Sequence, residues 1–98
     1  MRLNESIFLS NLGSAEYDLG VQVAVQRHQQ AHAIAIELGA DDLVALTHRA
    51  LGIDYHAQES FDLARHHLAE ALRLYQKLGQ VDRETQLRQM MNRFGYPT

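Results

Sequence analysis

The chain has no cysteine and no tryptophan among its 98 residues. Without cysteine there is no disulfide framework, no thiolate metal site and no thiol nucleophile. That fits a reducing compartment, and a cytoplasmic location is expected. A single proline and six glycines leave no linker and no low-complexity segment. Positive charge is scarce as well. Nine Lys and Arg stand against twelve Asp and Glu, a formal net charge of -3. A nucleic-acid partner needs a clustered positive face, so none is expected. No basic run borders an apolar helix, so a membrane partner is not expected either. No apolar stretch approaches the roughly 20 residues that span a bilayer. The opening "MRLNESIFLSNLG" carries one Arg and no long apolar region, and is not read as a signal peptide.

What is present is ordinary for one small domain spanning residues 1–98: 46% hydrophobic and 21% charged residues. Its organisation shows in "QESFDLARHHLAEALRLYQKLG", residues 58–79. Phe61, Ala64, Leu68, Ala71, Tyr75 and Leu78 alternate spacings of three and four, the apolar stripe of an amphipathic helix. Ser60 is placed to cap its start, and Asp62 suits the positive end of the helix dipole. Lys77 lies in the last turn, and Gly79 can adopt the left-handed conformation that ends a helix.

The same pattern stands 40 positions earlier. Val21, Ala24, Ala31 and Leu38-Gly39 match Phe61, Ala64, Ala71 and Leu78-Gly79. Leu12-Gly13 and Leu51-Gly52 recur 39 apart, so the turn near Gly20 differs by one residue. Five helices are expected, at about 3–18, 21–38, 42–57, 61–78 and 81–94, with breaks at Gly20, Gly39 and Gly79. Asp41 or Asp42 is expected to cap the third. No stretch alternates like a strand. Short connections make neighbouring helices antiparallel, and a two-helix unit of this length implies a solenoid. The expected fold is all-α: repeat 1 at about 3–39, repeat 2 at about 41–79 and a terminal capping helix at about 81–94.

The second unit resembles a tetratricopeptide repeat. Leu51, Gly52 and Tyr55 stand as the family's L-G-x2-Y, and Ala64, Leu68 and Ala71 as its small-large-small positions. In the first unit Leu12, Gly13, Ala24 and Ala31 fit, while the Tyr is one place late, at Tyr17, and His28 stands in the place of Leu68. Met91-Asn92 take the Leu-Gly places of a terminal half unit. The longer units, ending in "ELGADD" and "KLGQVD", are similar to the 40-residue variety of bacterial signalling and transcription regulators. The resemblance implies a right-handed α-α superhelix of about two and a half helix-hairpin repeats. It also implies a concave groove lined by the first helix of each unit. The lining residues proposed for partner contact are Tyr17, Leu46, Arg49, Ile53, His56, Gln89 and Arg93. Members that grip a C-terminal carboxylate use Lys, Asn and Arg here; the matching positions are mostly Ser, Ala, Gln and Met, so that clamp is not expected.

Catalytic chemistry finds little support. Asp62 and Glu70 have no carboxylate partner at a repeating spacing, no Gly-rich phosphate loop is present, and no serine has a G-x-S-x-G context. His28 and His32, four apart, share one helix face and have ligand-capable spacing. "HQQAH" lacks the Glu of H-E-x-x-H, and the pair maps onto packing positions Leu68 and Leu72. A hydrogen-bonded pair at a helix interface is the favoured reading; a metal-binding protein or enzyme using His28 and His32 is the alternative. Met90, Met91, Phe94 and Tyr96 form an apolar end that either caps the last repeat or self-associates. The reading is a non-enzymatic protein-interaction scaffold with no cofactor and no metal. Its partner is a protein or peptide, and a homodimer through the terminal helices is a further expectation.

Overall fold

A computed structural model describes residues 14–98, with side chains from Leu19 onward. Four helices follow one another: α1 Ser14–Leu38, α2 Asp41–Ala57, α3 Phe61–Leu78 and α4 Val81–Phe94. Among the described residues there is no strand. Each helix packs on the next, as short connections demand.

One expected boundary is corrected. The helix break at Gly20 is not there; the backbone is helical from Ser14 through Leu38. Glycine permits a left-handed turn but does not impose one. With no proline or second turn residue beside it, helical hydrogen bonding carries through at a cost of about 1 kcal/mol relative to Ala. The expected first helix therefore lies mostly outside the described residues, and its positions 14–18 belong to α1. Among the described residues the count is four helices, not five.

The other stops are where the pattern placed them, and all use one hydrogen-bond motif. The N–H groups of Ala40, Ser60, Gln80 and Tyr96 donate to the carbonyls of Ala35, Tyr55, Tyr75 and Met91, at 3.0, 2.9, 2.9 and 2.8 Å. Each bond closes over one residue of positive φ, which satisfies carbonyls that the helix end would leave open. Three of those residues are glycines, and the fourth is Glu59, at φ 62°. The helix starts differ from expectation. Ala40, not Asp41 or Asp42, occupies the cap position of α2, and neither Ala40 nor Ser60 makes a side-chain capping bond. Asp41 and Asp42 lie in the first turn of α2, where the helix dipole favours their charge.

The core sits between α2, α3 and α4. Leu51, Leu68, Tyr75, Leu87 and Met91 are the largest side chains closed off from water. Gly52 marks a close crossing of α2 and α3. A Cβ placed there would lie 2.6 Å from Leu68 Cγ and 3.3 Å from the Ala64 carbonyl oxygen. The Gly-to-Ala approach is what lets the α2–α3 backbones close on each other. At the C-terminus Met91 and Tyr96 are buried, and Met90 and Phe94 pack against the same cluster. That apolar end covers the last helix pair, the capping reading of the two.

Candidate partner-binding groove

Apart from Tyr17, the proposed groove residues fall on two helical stripes, one on α2 and one on α4. On α2, Leu46, Arg49, Ile53 and His56 repeat at three, four and three. On α4, Gln86, Gln89 and Arg93 repeat at three and four. At the open end a cleft of about 320 Å³ lies between these helices, lined by Leu46, Arg49, Tyr75, Asp82, Arg83 and Gln86. Tyr75, only 1% exposed, closes its floor. Leu46 remains 39% exposed although it is apolar, which leaves a hydrophobic side chain for an incoming group. Arg49, Arg83 and Asp82 bring two guanidinium groups and one carboxylate to its lining.

Leu46 and Arg49 are thus brought together at one cleft. Ile53 follows one turn along and is half-buried. His56 is engaged within the molecule: its ring stacks on Phe94 at 4.1 Å between centroids, and its Nδ1 lies 2.7 Å from the Tyr96 hydroxyl. Gln89 and Arg93 are exposed on α4 beyond the cleft. Tyr17 falls in the N-terminal turns of α1, and its side chain lies outside those described. Tyr75, Asp82 and Arg83 complete the lining. Tyr75 read as a core stripe residue, and it is one whose edge also faces the cleft. Asp82 and Arg83 lie in the first turn of α4, which the repeat register alone did not single out.

A second constellation joins α1, α2 and α3. His28 Nδ1 lies 2.5 Å from Asp54 Oδ2, and His32 Nδ1 lies 2.6 Å from the Thr47 hydroxyl. Thr47 in turn donates to the Leu43 and Val44 carbonyls, alternatives for its one proton. His48 Nδ1 meets His67 Nδ1 at 3.0 Å, the His32 ring lies edge-on to His48 at 4.3 Å, and Tyr55 stacks on His67. Gln29 donates to the Tyr55 hydroxyl. Burial and the neighbouring imidazoles, His32 and His67, hold the His48 pKa down at about 4. Burial also lowers His32 and His67. His28 and His32 each find a separate partner on α2 and do not converge on one ion. Among the described residues no group of three or more His, Cys, Asp or Glu could hold a metal ion.

The sequence model of the tetratricopeptide repeat family matches residues 5–77. The chain belongs to the tetratricopeptide repeat family. No curated protein and no solved structure matches it. The match ends within α3, so α4 and the C-terminal aromatic cap follow the matched repeats. Repeats of this family generally mediate protein–protein interaction and typically serve as non-enzymatic scaffolds. Among the described residues no helix is long and apolar enough to cross a membrane.

Proposed function

We infer that this tetratricopeptide chain is a non-enzymatic interaction module whose α2–α4 cleft takes a helix or extended peptide from a protein partner. The observation that carries the reading is the cleft itself: Leu46, Arg49 and Gln86 surround one concavity floored by Tyr75. Leu46, with Ile53 behind it, supplies an apolar contact, and a buried anchor is where most interface energy concentrates. Arg49 and Arg83 suit an acidic side chain, which a guanidinium grips through two parallel hydrogen bonds. Gln89 and Arg93 extend the same polar edge along α4. His56 serves the groove indirectly, by fixing the α2 end against the C-terminal cap. The setting that fits the extended repeats is a bacterial signalling or transcription-regulatory protein in the cytoplasm.

A displayed library of acidic and apolar peptides, selected on the folded protein, tests this. Selected peptides are expected to lose at least tenfold in affinity against the Arg49→Ala, Ile53→Ala double variant, with its helical circular dichroism unchanged. Peptides that bind both proteins equally would place the binding surface elsewhere.

A further inference from the structure

α1 is fastened to the rest of the molecule by a different kind of contact from the one that joins α2, α3 and α4. The apolar cluster that includes Ala45, Leu68, Tyr75, Leu87 and Met91 takes no member from α1. Among the described α1 side chains only Val25 and Ala35 are buried. Side-chain hydrogen bonds do most of the fastening. His28 bonds to Asp54, Gln29 to the Tyr55 hydroxyl and His32 to the Thr47 hydroxyl, all from α1 to α2. Gly39, at φ 67°, lies in the short link between the two helices.

His32 is also where α1 enters the histidine cluster. Its ring lies edge-on to His48, His48 bonds to His67, and His66 lies edge-on to His67. The groups facing the seam are His28 and His32 from α1, His48, Asp54 and Tyr55 from α2, and His66, His67 and Glu70 from α3. Five imidazoles thus meet two carboxylates, and Glu70 is already held by Arg73. Protonation acts oppositely at the two α1 histidines. At His28 a positive ring strengthens the pairing with Asp54. At His32 it sets charge against His48 and His67, and the hydroxyl that His32 meets carries no compensating charge.

We propose that this seam is an acid-operated latch: protonation of the histidine cluster releases α1 from α2 while α2, α3 and α4 stay packed on one another. The sign follows from linkage. Burial lowers His32, His48 and His67, and His32 adds to the lowering of the other two. Once α1 leaves, His32 regains water and its charge no longer bears on His48 and His67. The released form therefore binds more protons, and release is favoured as pH falls below 6.5, the ordinary imidazole value. The His28–Asp54 pair opposes release and sets how far pH must drop. The latch shares no residue with the lining of the α2–α4 cleft, so the two readings stand or fall separately.

Native-state hydrogen exchange at pH 7 and pH 5, corrected for intrinsic rates and repeated in low urea, tests the latch. Amides of residues 25–36 are expected to be roughly tenfold less protected than those of residues 64–75, through an opening that low urea barely alters. That opening should become about fivefold more populated from pH 7 to pH 5. His32→Asn keeps a hydrogen-bonding group near the place of Nδ1 but takes no charge, and the pH response should shrink below about twofold. Asp54→Asn removes the opposing carboxylate and should enlarge the response. Amides of α1 that exchange only together with those of α3, through urea-sensitive unfolding of the whole chain, would overturn the proposal. So would a pH response that His32→Asn leaves intact.

Discussion

His48 of α2 and His67 of α3 share a hydrogen bond across the helix interface, with 3.0 Å between their Nδ1 atoms. One imidazole N–H donates to the bare nitrogen of the other, so at least one ring must be neutral. Stacked with Tyr55 and edged by His32, the pair occupies ground that an apolar side chain would otherwise fill. The α2–α3 contact therefore requires one of these two rings to be uncharged.

Acidification should loosen this contact. The groups facing it are His32 from α1, His48 and Tyr55 from α2, and His66, His67 and Glu70 from α3. Glu70 is held below the usual carboxylate range first by its hydrogen bond with Arg73, so it stays charged and only partly offsets the imidazoles. His48 titrates near 4 when folded against 6.5 as its ordinary value. The unfolded chain thus binds more protons in this window, and stability falls as pH drops below 6.5 toward 4. Allowing for screening at partly wet rings, about 1 kcal/mol is lost between pH 7 and 5. That corresponds to a drop of roughly 4–8 °C in melting temperature for a domain of this size. His67→Gln removes the like charge, and its melting temperature should vary less across the same range. Melts followed by circular dichroism at both pH values check this; equal pH dependence in both proteins would reject the role of the pair.

Gly52→Ala should destabilise the chain. The added methyl would stand 2.6 Å from Leu68 Cγ, an atom close to the backbone of a fully buried residue. Helix propensity gains about 1 kcal/mol from Gly to Ala, but overpacking costs about 1–3 kcal/mol, and at this distance the clash prevails. A lower urea midpoint at unchanged slope is the expected result. A midpoint at or above that of the parent would show that α2 and α3 can separate freely.

Much of this architecture was legible because the repeat exposes it twice. Leu51-Gly52 with Ala64, Leu68 and Ala71 marked a close helix crossing, and those residues form it. Gly79 marked a stop, and it takes the left-handed conformation there. Gly20 misled, because a glycine without a supporting turn sequence is only a weaker helix residue. The groove was legible in part. The three-and-four spacing found Leu46 and Arg49, but Asp82 and Arg83 belong to a helix start, where side chains point by turn geometry. His56 read as a groove contact because the residues that hold it, Phe94 and Tyr96, lie far along the chain. The histidine network had the same obscurity: His28 and His32 share a helix face, yet their partners Asp54 and Thr47 become neighbours only once α1 packs on α2.

Glu59→Gly should stabilise the protein. Glu59 holds φ 62° at a helix end whose three counterparts are Gly39, Gly79 and Gly95. A side chain in that region costs roughly 1 kcal/mol, which glycine avoids. Added flexibility of the unfolded chain offsets part of the gain, so a net rise of about 0.5 kcal/mol is expected. Differential scanning calorimetry should show a small increase in melting temperature. A decrease would mean that Glu59 contributes through its side chain.

Arg83→Glu should reverse the preference of the cleft. In the parent the cleft lining holds two cations, Arg49 and Arg83, and one carboxylate, Asp82; in the variant it holds one cation and two carboxylates. An acidic peptide that binds the parent should weaken by tenfold or more, and more steeply at low ionic strength, because exposed charge interactions lose force once separations exceed the Debye length of about 8 Å at 0.15 M salt. A basic counterpart should gain. The exchange leaves the apolar contact at Leu46 in place, so a peptide held mainly by its hydrophobic anchor would lose little. Titration of both peptides at two salt concentrations separates these cases, and an acidic peptide indifferent to Arg83→Glu would remove charge from the account of the groove.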